Sequence, residues 1–274
     1  MSSPSHTDSH GQSPSRYFVP TPSAWPFYLT IGLALVVYGV ACYLEERQVP
    51  YQLLIWAGAA LAVAIIFSWF RGIAHESESG SYNAQVDRTF RWGMGFFIFS
   101  EVMFFGAFFG ALYYTRELSV PWLAGAGSRL MTNLDLWPHF EAGWPTNGPA
   151  HVGGDFQAME AWGLPAINTL LLITSSFTVT WAHHALKESK RNLCIAWMVV
   201  TVALGATFLY CQAHEYIHAY TAQNLTLHSG VYGSTFFMLT GFHGLHVTLG
   251  TLMLVIITIR LILGHFKQIG RAHV

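Results

Sequence analysis

Trp92-Gly-Met-Gly-Phe-Phe-Ile-Phe-Ser-Glu101-Val-Met-Phe-Phe-Gly-Ala-Phe-Phe-Gly-Ala-Leu-Tyr-Tyr114 decides the fold. It is apolar over enough residues to cross a bilayer as a helix, and Glu101 is its one ionisable carboxyl. At the rise of an α-helix Glu101 lies about 13–14 Å below Trp92, near the middle of a hydrocarbon core roughly 30 Å thick. A lone carboxylate at that depth is costly, so Glu101 is expected to face protein or water and to have a hydrogen-bonding partner. Gly106-Ala-Phe-Phe-Gly110 adds a small-xxx-small face that predicts close approach of a second helix, with this helix as the hub of a bundle.

The rest of the chain agrees with a membrane setting. Of its 274 residues 53% are hydrophobic and 10% charged, against about 25% charged in soluble domains. The net charge of −1 argues against a nucleic-acid partner or a polybasic anchor. Cys42, Cys194 and Cys211 lie inside apolar runs and read as small buried hydrophobes. The expected fold is all-α, a polytopic bundle with transmembrane helices at about 25–44, 51–70, 92–114, 165–186, 193–214 and 232–263. Residues 1–16 are Ser/Pro/His-rich and read as a disordered cytoplasmic tail without signal-peptide character. The membrane bundle runs over 17–267, with a polar loop before Trp92 and a Gly-, Pro- and Trp-rich outer loop over 115–163.

Orientation follows from Lys and Arg. Six spans put Arg16, Arg71, Arg88, Arg91, Lys187, Lys190, Arg191, Arg260, Lys267 and Arg271 on one side, and Arg47, Arg116 and Arg129 on the other. The positive-inside rule then places the N-terminus in the cytoplasm. In this frame His243 lies about 16–17 Å into the last span and His246 one turn deeper, level with Glu101. Glu101 is therefore expected to pair with His243 or His246, without a metal.

Three histidine patterns invite metal chemistry. His214-Glu215-Tyr-Ile-His218 fits H-E-x-x-H, in which two imidazoles hold zinc and the Glu activates water, so a membrane zinc protease is one alternative. His183-His184 point to different faces of a helix and make a poor shared site. His243 and His246 stand at i, i+3 on one face, a spacing that allows ligation, although Gly241, Gly244 and Gly250 beside them predict a tight helix contact instead.

The order of the motifs is more specific than any one of them. Trp69-Phe-Arg71 with Glu76, Ser100-Glu101-Val-Met-Phe-Phe105 and Leu164-Pro-Ala-Ile-Asn168-Thr169 come first. Val179-Thr-Trp-Ala-His-His-Ala185, Gln212-Ala-His-Glu215-Tyr216 and Thr240-Gly-Phe-His-Gly-Leu-His-Val247 follow. From about Trp25 to Phe266 this resembles the subunit III family of cytochrome c oxidase, a haem-copper oxidase. The first two spans favour it over the ubiquinol-oxidase counterpart. An accessory subunit of a ubiquinol oxidase or nitric oxide reductase is the nearer alternative.

The resemblance implies a seven-helix, non-redox subunit of a proton-translocating oxidoreductase, with helices one and two splayed from the rest by a lipid-filled cleft. It implies no catalytic residue, metal, haem or copper in this chain, the haem and copper lying in partner subunits. Catalytic subunit I and subunit II are the expected partners, and structural phospholipids the expected ligands. The subunit would stabilise subunit I and support proton uptake during oxygen reduction to water. Glu101, His243 and His246 match the family's buried carboxyl and its neighbours. Trp69, Arg71, Glu76 and Arg260 match lipid-headgroup residues. The setting is the bacterial plasma membrane, with the mitochondrial inner membrane as alternative. Gly72, Ser81-Tyr82 and His214 depart from the family pattern. So does the end of the chain, where a seventh helix is expected. Ile269-Gly-Arg-Ala-His-Val274 can be written as atc-gga-aga-gca-cac-gtc, a sequencing-adapter read, so 268–274 is expected to be a non-native tail.

Overall fold

A computed structural model describes residues 22–46, 48–79, 82 and 84–264. The tails expected at 1–16 and 268–274, and Ser81, lie outside the described residues. The described chain is helical without a strand, and six of its helices are long and apolar enough to cross a membrane. It divides into two compact units, Met1–Phe96 and Phe97–Val274.

The first unit holds helix α1 (Trp25–Glu46), helix α2 (Val49–Glu78) and the start of α3 (Ala84–Tyr114). Pro50 opens α2, where a missing N–H costs nothing. The short turn folds α2 back along α1, so that Gly39 meets Ile55 and Gly32 meets Ala62. The seam is made by glycines. A Cβ built on Gly58 would stand 2.8 Å from the Gly32 carbonyl oxygen and 2.9 Å from the Val36 nitrogen, both backbone atoms that cannot step aside. Small residues let the two backbones meet where lipid gives no hydrophobic push between helices.

α2 and α3 run further than the apolar runs predict. The stretch 71–91, expected as a polar loop, is mostly helix: α2 continues to Glu78 and α3 begins at Ala84. Its polar residues satisfy helix geometry, as in the i, i+4 pair of Asp87 and Arg91 at 2.8 Å, while a hydropathy boundary registers only where apolar side chains stop. Between the two helices Tyr82 donates to Glu76 Oε2 at 2.8 Å and packs edge-on against Phe90.

In the second unit the remainder of α3 passes through a π-helical turn, Thr115–Ser119, into the short α4 (Val120–Leu123) and then α5 (Leu130–Leu136). Three long helices follow: α6 (Leu164–Lys187), α7 (Arg191–Ala222) and α8 (Gly230–Leu263). α6 and α7 are antiparallel, with Thr178 and Thr201 hydroxyls 2.7 Å apart and the Trp181 and Trp197 rings 4.7 Å apart. Ala182, Ala185, Cys194, Met198 and Leu261 form a core at the end carrying Lys187 and Arg191. α8 returns along α7, with Gly205 against Thr251 and the Tyr216 hydroxyl 2.7 Å from that of Thr240.

Both ends of this three-helix unit are sealed by polar groups. Arg191 Nη2 donates to the Leu261 and Ile262 carbonyls at 2.7 and 2.9 Å, and its Nε donates to Leu261 at 3.1 Å, capping α8 where Gly264 turns left-handed. At the other end the α7–α8 turn is tied to the long loop. Asn224 donates to the Asp155 carbonyl, the Gln157 amide to Gln223, and Phe156 stacks on Tyr232 at 5.4 Å.

The glycine expectations divide. A Cβ at Gly106, Gly110, Gly244 or Gly250 would meet nothing within 4 Å among the described residues, and Gly241 faces only the Tyr216 hydroxyl at 3.6 Å. The close-contact faces are instead Gly32, Gly39 and Gly58 in α1–α2 and Gly205 in α7. Among the described residues none of α3 within its apolar window is buried. It meets α8 through long aromatic side chains rather than through small ones.

Candidate functional site

Glu101 and His246 occupy the middle of α3 and α8, and His246 Nε2 lies 2.6 Å from Glu101 Oε2. Aromatic rings hold the pair. Phe105 and Phe104 stand 5.3 and 6.1 Å from the imidazole, and Phe104 and Phe108 pack on Phe242 at 5.1 and 5.3 Å. The imidazole is fixed from its other nitrogen, since Nδ1 is 2.6 Å from the Phe242 carbonyl of its own helix. A carbonyl only accepts, so Nδ1 carries a hydrogen and Nε2 is left to face the carboxyl.

That arrangement counts the protons. If Oε2 and Nε2 both presented lone pairs at 2.6 Å they would repel, so the contact calls for one proton between them. With the proton on oxygen the pair is carboxylic acid and imidazole; with it on nitrogen, carboxylate and imidazolium. Either form is neutral as a pair, which suits a mid-span position beside apolar rings, where the two side chains remain about a third exposed, 31% and 34%. Oε2 lies off the axis of the ring N–H, so the contact is close without being an aligned hydrogen bond.

His243 does not join this pair. At i, i+3 two side chains are offset by about 60° around a helix, enough for neighbours on either side of α8 to separate them. His246 faces α3, whereas His243 lies edge-on to Phe208 of α7, 5.8 Å away, and lines a cavity with Asn168 and Glu215. The sequence pattern put both imidazoles on one face; the structure brings only His246 to Glu101.

The H-E-x-x-H residues also part company. Glu215 is buried at 8% exposure, while His214 and His218 on the same helix are exposed. Among the described residues no group of three or more His, Cys, Asp or Glu is placed to hold a metal. His183 and His184 are both exposed, with ring centres 6.4 Å apart. Of the residues matched to lipid headgroups, Trp69 is half-buried and Arg71 and Glu76 exposed on the last turns of α2. Arg260 is half-buried in the last turn of α8, in the other unit. Burial, followed by the hydrogen bond to Glu76, pushes the neighbouring Tyr82 phenol up to about 12.

Asn168, which the sequence offered only as part of the Leu164–Thr169 motif and without a role, is 4% exposed with neither side-chain amide atom hydrogen-bonded. An Asn within an apolar span was the available signal. The Thr178–Thr201 bridge was equally invisible, because threonines in spans most often bond their own helix, as both of these also do.

Six apolar helices of spanning length among the described residues, with a carboxyl and an imidazole in contact between two of them, define a multi-pass membrane protein. The chain belongs to the cytochrome c oxidase subunit III family, whose model matches residues 15–127 and 133–273. Cytochrome c oxidase subunit 3 of Latimeria chalumnae is 35% identical over 253 residues, covering 92% of this chain and 85% of the relative. The same subunit of Danio rerio is 34% identical and that of Equus caballus 33%, each with the same coverage.

Proposed function

We propose that this chain is the non-redox subunit III of a respiratory cytochrome c oxidase, bound to catalytic subunit I and to subunit II, which carry the haem and copper. Membership of the family supports this reading, and the Glu101–His246 pair is the observation within the chain that carries it furthest. A carboxyl and an imidazole in contact between two spanning helices, flanked by Phe104 and Phe105, suit a structural and proton-supporting role. In this reading the subunit stabilises subunit I and supports proton uptake as oxygen is reduced to water.

Phospholipid is its ligand. Arg71 and Arg260 each have a guanidinium near the end of a spanning helix, where a fork of N–H donors can hold a phosphate bidentately. Trp69 supplies an amphipathic ring at that level, and Glu76 a carboxylate for a cationic headgroup. The Lys and Arg distribution supports a cytoplasmic N-terminus, in a bacterial plasma membrane or, as the alternative, in the corresponding orientation in the mitochondrial inner membrane.

The test is a mild-detergent pull-down of the tagged chain from its native membrane, read by visible spectroscopy and metal analysis. Haem and copper in the eluate, absent when the chain is expressed alone, are expected. Zinc without haem overturns the reading in favour of a metal-dependent hydrolase.

A further inference from the structure

α6, α7 and α8 line an open, largely apolar cavity that carries a few buried polar side chains, away from the Glu101–His246 pair. Near the α7–α8 turn they line a cavity of about 410 Å³. Asn168 of α6 lines it at 4% exposure, and neither its amide nitrogen nor its oxygen has a hydrogen-bond partner. Glu215 of α7, 8% exposed, and Thr240 and His243 of α8 line it as well, with Leu172 and Phe208 among the apolar walls.

A buried amide without partners is rare, because it forfeits both hydration and hydrogen bonds. Here it faces a space large enough to hold its partners. The lining selects among them. It contains no Lys or Arg and two carboxyl side chains, Glu160 and Glu215, so an anion would sit beside like charge. A metal cation would find too few ligands, since no group of three is present among the described residues. The amide needs an acceptor for its N–H and a donor for its oxygen, and a hydroxyl offers both.

We propose that this cavity is a binding site for neutral hydroxyl groups, supplied by water or by the glycerol-type head of a lipid, with Asn168 as the residue that reads them. The site is independent of the oxidase reading, because it rests only on the packing of α6, α7 and α8 and of the loop residues Met159–Ala161 beside them.

Cysteine accessibility in the assembled complex tests it, in nanodiscs that retain native lipid and expose both faces. With Cys42, Cys194 and Cys211 replaced by Ala, Asn168→Cys and Leu172→Cys probe the cavity, and Ala182→Cys, from a core position 1% exposed, is the control. A cationic methanethiosulfonate reacts with thiolate, which needs a hydrated surrounding, so the cavity positions should react about ten-fold or more faster than the control. Equal rates before and after delipidation in detergent identify water as the occupant. Reaction only after delipidation identifies a lipid head. Absence of reaction at the cavity positions in both states overturns the proposal. If Asn168→Cys fails to assemble, Leu172→Cys decides.

Discussion

Arg191, in the first turn of α7, caps the last turn of α8 through the Leu261 and Ile262 carbonyls. The two residues that begin and end this contact are 70 positions apart, yet one guanidinium satisfies carbonyls that helix geometry leaves open. Its charge also complements the negative end of the α8 dipole. Arg191→Met is expected to lower stability by about 1 kcal/mol, allowing for its exposed setting. Arg191→Lys should recover only part of this, since an ammonium lacks the fork. Thermal unfolding in detergent, read by tryptophan fluorescence, measures both.

Glu101 gives a sharper contrast. Glu101→Gln retains an N–H that can donate to His246 Nε2, and should assemble and support electron transfer near the wild-type level. Glu101→Leu leaves Nε2 facing an apolar side chain and should cost roughly 1–3 kcal/mol. Retention of this chain in the purified complex on heating reports the difference. Equal behaviour of the two variants would show that the pair contributes nothing to stability.

The glycines allow a paired test. At Gly58 a methyl would press on the backbone of Gly32 and Val36. Gly58→Ala should therefore part α1 from α2 and destabilise by about 1–3 kcal/mol. Gly106→Ala adds a methyl into open space and should be neutral, or stabilising by about 0.5–1 kcal/mol through helix propensity. Protease resistance of the α1–α2 turn and thermal unfolding distinguish them.

Tyr82 should report alkaline pH. Its folded value, about 12, lies above the ordinary 10.0, so the phenol form is the one the fold favours. The stabilisation is complete below the unfolded value and disappears as pH rises through the folded one. The Tyr82→Phe difference in phenolate absorbance should titrate near the upper value, and Glu76→Gln should bring it down.

How far these features could be read from sequence depended on their range. The six apolar helices were legible because twenty or so apolar residues have few other fates. Glu101 was legible for the same reason in reverse, as a charge where charges are expensive, and matching its depth to α8 narrowed its partners to two. Choosing between His243 and His246 required knowing which helices flank α8, and no periodicity states that. Gly106 and Gly110 show that spacing marks only a surface that could accept a helix: Gly58-Ala-Ala-Leu-Ala62 carries the same small-xxx-small spacing, and there the close contact is made. The Arg191 cap joins two helix ends through a fold-dependent contact and leaves no local pattern.

The proton count at Glu101 has an electrical consequence. A unit charge carried across a membrane exchanges about 2.3 kcal/mol per 100 mV with the transmembrane voltage. A proton passing between Oε2 and Nε2 moves no further than the 2.6 Å contact, and the pair is neutral before and after. Such a shift samples a small fraction of the field, so the pair can respond to its surroundings while remaining almost silent to the membrane potential around it.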